Sequence, residues 1–344
     1  MSPLRPLLLL LAALPAATSA HAQERALRYA GVNLAGAEFN SGKRPGTLHK
    51  DYTYPAAADY AYFAGQGMNI VRLPLLWERL QPQAGGEFDP AQLALIRKAV
   101  AQAGAQGQHL ILDVHNYAKY RGARIGSEAV PVAAFADLWR RLALEFKDDE
   151  RVVFGLMNEP NAIGAREWAG AAQAAIDAIR AAGAGNLVLV PGTAWTGAHS
   201  WAGSGYGGVS NATALQDLHD PGDRIAIEVH QYLDRDYSGT HAECVGPDIG
   251  VDTLRGFTAW LREHGRQGFL AEFAGGPGEV CRQAVDNMLA FIAGNGDVWL
   301  GWTWWAAGTW WKPDYPFNVQ PGQDGGDRPQ MEVLARHARA ATAP

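Results

Sequence analysis

Short apolar runs recur along the chain, and they alternate with stretches in which Ala, Leu and Ile return at helical spacing. Eight such runs are present: "LRYAGVNLAG", "MNIVRLPLLW", "HLILDVHNY", "RVVFGLMNEP", "NLVLVPGTAW", "RIAIEVHQYL", "QGFLAEFAGG" and "VWLGWTWWAAG". Between them lie "DPAQLALIRKAVAQAGAQG", "PVAAFADLWRRLALEFKD", "REWAGAAQAAIDAIRAAG" and "CRQAVDNMLAFIAGNG", whose periodicity and flanking Gly predict helices. Strands that read as unbroken apolar runs, rather than as alternation, are buried on both faces, which marks a parallel sheet.

Eight strand and helix units in sequence predict an α/β fold, a (β/α)8 TIM barrel in one domain. An open doubly wound sheet is the competitor. It would usually carry a glycine-rich phosphate turn after its first strand, and "GVNLAGAEFNSG" contains no G-x-G-x-x-G. The Ala-rich helices show no internal period, and no Ser/Thr/Pro-rich linker marks off a second module.

The N-terminus changes the expected length. "MSPLRPLLLLLAALPAATSAHA" sets one Arg before a Leu- and Ala-rich run that ends in small residues and an A-x-A pattern at Ala20-His21-Ala22. This predicts a signal peptide over residues 1–22, cleaved before Gln23, with a catalytic domain over 23–344 that is secreted or periplasmic. The apolar run is short for a bilayer span and no second one follows, so no membrane is expected for the mature form.

A net charge of −6, from 29 basic and 35 acidic residues, does not suit a nucleic-acid partner. In an exported chain Cys244 and Cys281 suggest one disulfide, with two buried thiols as the bland alternative; a pair of cysteines cannot make a structural zinc site. If the pair is bridged, it ties the polar loop "DRDYSGTHAECVGPDIG" to the helix after strand seven. Twelve Trp exceed what a core easily accommodates, so some are expected in an open groove.

The residues that close the runs carry the chemistry, because in such a barrel the carboxyl ends of the strands converge on one face. Strand two closes with Arg72, strand three with His115 and Asn116, and strand four with Asn158 and Glu159. Strand six ends in His230 and Tyr232, strand seven in Glu272, strand eight in Trp304 and Trp305. Singly, each has a dull explanation: Arg72 paired with a helix carboxylate, His115 a satisfied core histidine, Glu228 or Glu272 reaching solvent. Together, two carboxyls on separate strands with an Arg, two His, a Tyr and flat aromatic faces fit the needs of glycoside cleavage. Metal binding is the rival use. It is weakened by the absence of H-x-x-H or H-E-x-x-H, so no metal and no cofactor are expected.

With these residues in view, "RLPLLWERLQP", "DVHNY", "GLMNEPN", "EVHQYLD", "LAEFAGG" and "GWTWWAAG" resemble successive signature segments of glycoside hydrolase family 5, most closely its secreted endoglucanase branch. The likeness runs from about Tyr29 to the last helix. It implies that Glu159 is the general acid/base and Glu272 the nucleophile of a retaining endo-β-1,4-glucanase. It also implies that Arg72, His115, Asn158, His230, Tyr232 and Trp305 surround the sugar bound just before the cleaved bond. Asn116 counts with this substrate-binding set, and Trp195, Trp201 and Trp310 are candidate platforms for neighbouring glucose units. The sequence departs from the family pattern at Asn161, Ala271, Thr309 and Lys312, which touches contact with distal sugars rather than the catalytic pair.

The expected partner is a β-glucan polysaccharide, soluble or amorphous rather than crystalline. A β-mannanase, or a β-1,3-glucan or xyloglucan hydrolase on the same barrel, is the alternative within enzymes, since specificity lies in loops. A non-catalytic glucan-binding protein would use the same Trp-rich cleft but has no reason to keep both glutamates.

Overall fold

The computed structural model describes residues 26–322 and 324–341; the expected signal peptide, residues 1–22, lies outside them. In chain order the strands are β1 (Tyr29–Leu34), β2 (Ile70–Leu75), β3 (His109–Val114), β4 (Lys119–Tyr120), β5 (Ala123–Arg124), β6 (Val152–Gly155), β7 (Val188–Pro191), β8 (Ile225–His230), β9 (Gly268–Glu272) and β10 (Trp299–Ala307). Each of the eight apolar runs supplies one barrel strand. The closed sheet runs β1-β2-β3-β6-β7-β8-β9-β10 and back to β1, with every neighbour parallel. The antiparallel pair β4 and β5 sits apart, in the loop after β3.

The helices are α1 (Ala57–Gly65), α2 (Trp77–Leu80), α3 (Pro90–Ala105), α4 (Val132–Phe146), α5 (Ala165–Ala181), α6 (Asn211–Leu215), α7 (Ile249–Glu263), α8 (Glu279–Ala293) and α9 (Met331–Ala341). The four helix-like segments of the sequence become α3, α4, α5 and α8. At the head of α3 the Asp89 carboxylate accepts from the Gln92 N–H at 2.9 Å and Pro90 opens the first turn, so an orphan donor is satisfied and φ is preset.

The apolar residues separate into two cores. A large one fills the space between the sheet and its helices. A smaller one plugs the barrel with Ile70, Ile111, Val153, Leu189, Ala226, Phe269, Ala271 and Leu300. Above this plug the inward face turns polar in steps of two, the strand period: Ile70 gives way to Arg72, Ile111 to Asp113 then His115, and Ala226 to Glu228 then His230. The strands close tightly at β1. A Cβ on Gly31 would lie 1.8 Å from the Ile70 carbonyl oxygen, so only glycine fits there.

Most of the tryptophans are structural, more than the composition suggests a core takes up, while Trp195 lies in the open as expected of some. Trp77, Trp139, Trp168, Trp201, Trp299, Trp302 and Trp304 are fully buried. Several satisfy their indole N–H on nearby acceptors, as Trp139 does on the Leu156 carbonyl (3.2 Å) and Trp168 on that of Pro191 (2.6 Å). Cys244 and Cys281 are bridged, with Cα atoms 5.2 Å apart, and join the loop after β8 to the first turn of α8. Among the described residues no helix is long and apolar enough to cross a membrane.

Candidate active site

Arg72 stands in the middle of β2 rather than at its end, fully buried above the apolar plug. A buried guanidinium is tolerable only if it is paired and hydrogen-bonded. Nη1 donates to Glu272 Oε1 (2.7 Å) and Asn33 Oδ1 (2.9 Å). Nη2 donates to Asn158 Oδ1 (2.9 Å) and Glu228 Oε1 (3.1 Å), and lies 3.1 Å from Asp113 Oδ1. Asp113 also accepts from His115 Nδ1 at 2.7 Å. Burial by itself would depress the His115 pKa, but the Asp113 charge and this bond outweigh it and raise the value.

Glu272 closes β9 and is held at both oxygens. Oε1 takes the Arg72 bond, and Oε2 accepts from the Tyr232 hydroxyl at 2.7 Å. Burial first, and then the Glu272 charge, push the Tyr232 pKa well up, so the phenol stays a donor. Glu159 leaves the exit of β6 with φ +42°, a left-handed conformation uncommon outside glycine and found where a site dictates the backbone. Its Oε1 lies 2.9 Å from His230 Nδ1, while His230 Nε2 lies 3.2 Å from Glu228 Oε1.

The two glutamates differ in their surroundings. Burial raises the Glu159 pKa and the Glu272 charge adds to the rise, partly offset by the bond to His230. One oxygen of Glu159, one of Glu272 and a ring nitrogen of His230 all lie within 4.8 Å of one another. An approach that close between two of their oxygens favours the arrangement of carboxyl pairs about 5–5.5 Å apart over that of pairs about 6.5–9.5 Å apart, which admit a water between them.

A cleft of about 640 Å³ opens beside Glu159, lined by Tyr117, Trp195, His199, His230, Tyr232 and Tyr237, among others. Ala194, Trp195 and Thr196 all have positive φ, and this bent segment leaves the Trp195 ring half exposed. Tyr237 stacks on His199 at 4.3 Å. Its loop is wrapped around Asp234, whose carboxylate accepts from the N–H groups of Gly239, Thr240 and His241, and is anchored further along by the disulfide. On the other side His115 and Trp305 stack at 5.6 Å and 16°, and the Trp305 indole N–H donates to the Tyr315 hydroxyl at 3.0 Å.

Most of the residues expected from the sequence therefore gather at one mouth of the barrel: Arg72, His115, Asn158, Glu159, His230, Tyr232, Glu272 and Trp305, with Trp195 on the cleft wall. Others do not. Asn116 is spent on structure, its Oδ1 accepting from the Trp77 N–H (2.8 Å) and its amide donating to Glu78 (2.7 Å), so it fastens α2 instead of facing a ligand. Trp201 is buried against Phe257 and Trp260 and cannot be an open platform. Trp310 is exposed on the turn after β10, but its neighbour Trp311 is the ring that packs on Trp305 (6.1 Å) and Tyr315 (4.2 Å). Glu228, for which a solvent-reaching position is the dull sequence reading, is fully buried.

Sequence reasoning missed Asn33, Asp113, Tyr117, His199 and Tyr237. The signal for Asp113 is its place two residues before His115 in "DVHNY", and Glu228 stands likewise before His230 in "EVHQY"; both spacings put the acid on the same inward face as the histidine.

Known proteins resemble this chain in sequence and in fold. Residues 29–308 match the family described as Cellulase (glycosyl hydrolase family 5). The chain is 39% identical over 292 residues to endo-beta-1,4-glucanase B of Emericella nidulans, covering 85% of each. The crystal structure of an endo-beta-1,4-glucanase from Xanthomonas axonopodis pv. citri is similar at 59% identity and a TM-score of 0.91, over 92% of this chain and all of that one. The structure of XacCel5A in complex with cellopentaose is similar at 63% identity and a TM-score of 0.89, over 90% of this chain and 99% of that one.

Proposed function

The chain belongs to glycosyl hydrolase family 5, and from that membership we propose that it is an endo-β-1,4-glucanase, cleaving internal β-1,4-glucosidic bonds by double displacement with net retention. The observation that carries the reading is the pair of glutamates, Glu272 buried and Glu159 partly open to the cleft, with oxygens within 4.8 Å. One is held by two donors; the other has its carboxyl pushed toward the protonated form.

In the first step protonated Glu159 gives its proton to the glycosidic oxygen. Glu272 attacks the anomeric carbon, the bond to the leaving alcohol breaks, and a glycosyl ester forms. Esterification removes the Glu272 charge, which is one of the causes that raise the Glu159 pKa, so Glu159 becomes the weaker proton binder the second step requires. As carboxylate it takes a proton from water, the oxygen attacks the anomeric carbon, and Glu272 leaves as a carboxylate. Asn158 accepts from Arg72 through Oδ1, and among the described residues its amide nitrogen donates to no protein acceptor. It is free to bind the sugar 2-hydroxyl. Trp305 and Trp195 offer faces to sugar rings on either side of the pair.

Reducing ends should appear from carboxymethylcellulose and cello-oligosaccharides, and far more slowly from mannan, laminarin and xyloglucan assayed in parallel. Faster release from one of the latter three would replace the substrate. Binding without release would replace the enzyme reading with a lectin-like one. On an aryl β-cellobioside, Glu272→Gly and Glu159→Ala should each lose orders of magnitude in rate. Azide should then yield an inverted glycosyl azide from the first variant and a retained one from the second. Equal residual activity with no azide product in either would show that another pair does the chemistry. The same reading gives the mature protein, 23–344, a secreted or periplasmic location on the strength of its signal-like N-terminus, and N-terminal sequencing should begin at Gln23.

A further inference from the structure

Two buried acids in the barrel interior, Asp113 and Glu228, have no part in the double displacement. Glu228 has the more unusual contacts. Its Oε1 meets both Arg72 Nη2 (3.1 Å) and His230 Nε2 (3.2 Å), while Oε2 is buried with no hydrogen-bond partner among the described residues. The far ends of those two side chains reach the two reacting carboxyls, since Arg72 Nη1 donates to Glu272 at 2.7 Å and His230 Nδ1 is 2.9 Å from Glu159. A single oxygen thus terminates two chains of bonds, one leading to each glutamate.

We propose that Glu228 is a positioning residue that couples the two carboxyls, aiming Arg72 at Glu272 and holding His230 with a proton on both ring nitrogens so that Nδ1–H faces Glu159. The proposal rests on the assignment of Glu159 and Glu272 as the reacting pair. Its physical basis is the acceptor inventory around the imidazole: Nε2 faces the Glu228 carboxylate at 3.2 Å and Nδ1 lies 3.4 Å from the Glu272 carboxylate, groups that only accept, while Glu159, even when protonated, offers its carbonyl oxygen to Nδ1 at 2.9 Å. The charged groups around His230 are Glu228 on its own strand, Glu159 from the exit of β6 and Glu272 from β9. Arg72 from β2 and Asp113 from β3 lie behind Glu228, and the Tyr232 hydroxyl lies beside Glu272. Burial would lower the His230 pKa, but the Glu272 charge and the bonds to Glu159 and Glu228 overcome it and push it up to about 10.

Glu228→Gln separates charge from shape, because the amide oxygen can still accept from Arg72 and His230. Removing one buried negative charge makes every nearby acid lose its proton more readily, whichever group the proton leaves. Both limbs of the kcat/KM profile should therefore move to lower pH by about one unit, with the bell displaced rather than narrowed. Glu228→Asp keeps the charge and withdraws the oxygen. It should lower kcat more than it changes KM, with limbs closer to those of the unaltered enzyme. A purely structural Glu228 would lower stability or bell height and leave the limbs in place, which would overturn the proposal.

Nitrogen-15 NMR of the His230 ring tests the charge without any substrate. The unaltered protein should show both ring nitrogens protonated at pH 7, and the Gln variant should titrate at lower pH. A neutral imidazole at pH 7, or an unchanged titration in the variant, would refute the coupling. A neutral imidazole in the unaltered protein overturns the proposal even if the Gln variant fails to fold, and the pH limbs of Glu228→Asp then test the position of the charge. It also stands apart from catalysis: absence of glucan cleavage would sink the glucanase reading and leave the His230 result to judge Glu228.

Discussion

Trp195 and Trp201 occupy the same Gly- and Ser-rich loop between β7 and α6, yet one is 50% exposed and the other 2%. Nothing in the local composition separates them. The difference arises because Trp201 meets Phe257 and Trp260 on α7 at 5.0 and 5.2 Å, whereas the left-handed turn at residues 194–196 leaves Trp195 beside the cleft. Their alanine variants should accordingly diverge. Trp201→Ala should cost about 3–5 kcal/mol in denaturant unfolding, because a fully packed ring is lost. Trp195→Ala should leave that midpoint unchanged and raise KM for cello-oligosaccharides about three- to tenfold, the worth of one aromatic face. The same contrast shows what one residue's sequence context can tell. Arg72, His115, Glu159, His230 and Glu272 were legible because polar groups stand out at or near the ends of apolar runs. Tyr237 and His199 were not, since their stacking depends on where two loops meet.

Strands and long helices follow directly from local pattern, as the eight apolar runs and α3, α4, α5 and α8 show. The two-residue strands β4 and β5 carry too few positions to have a period. The polar floor of the site was hidden for another reason: Asp113 and Glu228 lie inside runs whose other residues are apolar, and only the alternation of faces shows that they point inward. Contacts between elements are not written in either pattern. Asp220, in the loop before β8, accepts from Arg180 on α5 at 2.7 and 2.9 Å and from the N–H groups of Gly222 and Arg224. Although burial works against it, these bonds lower its pKa to about 2. A depressed carboxylate contributes its stability above the unfolded pKa near 4 and loses it as pH falls through the folded value. Asp220→Asn should thus destabilise the fold by about 2 kcal/mol at pH 7, and the gap from the unaltered protein should close between about pH 4 and pH 2 in urea titrations.

At the scale of the whole molecule, one covalent link and one pairing of strands bind distant parts. The Cys244–Cys281 bridge spans 37 residues and restrains the loop that brings Asp236, Tyr237 and Ser238 to the cleft. Replacing both cysteines with serine should lower stability by about 2–4 kcal/mol, and KM should rise more than kcat falls. Calorimetry with and without reductant, beside kinetics on cello-oligosaccharides, checks both parts. The pairing of strands is that of β1 with β10, where Tyr29 is in register with Gly301 and Val32 with Trp304. While the chain is being synthesised, β1 therefore waits for a neighbour encoded almost at the other end, and β9 keeps an unpaired edge over the shorter stretch from Glu272 to Trp299. Contacts of such long sequence separation form late, and bare edges invite pairing between molecules. The barrel thus has no shortened form ending before Trp299 that could fold as a working fragment, and its hazard of aggregation is concentrated in the interval before that last strand arrives.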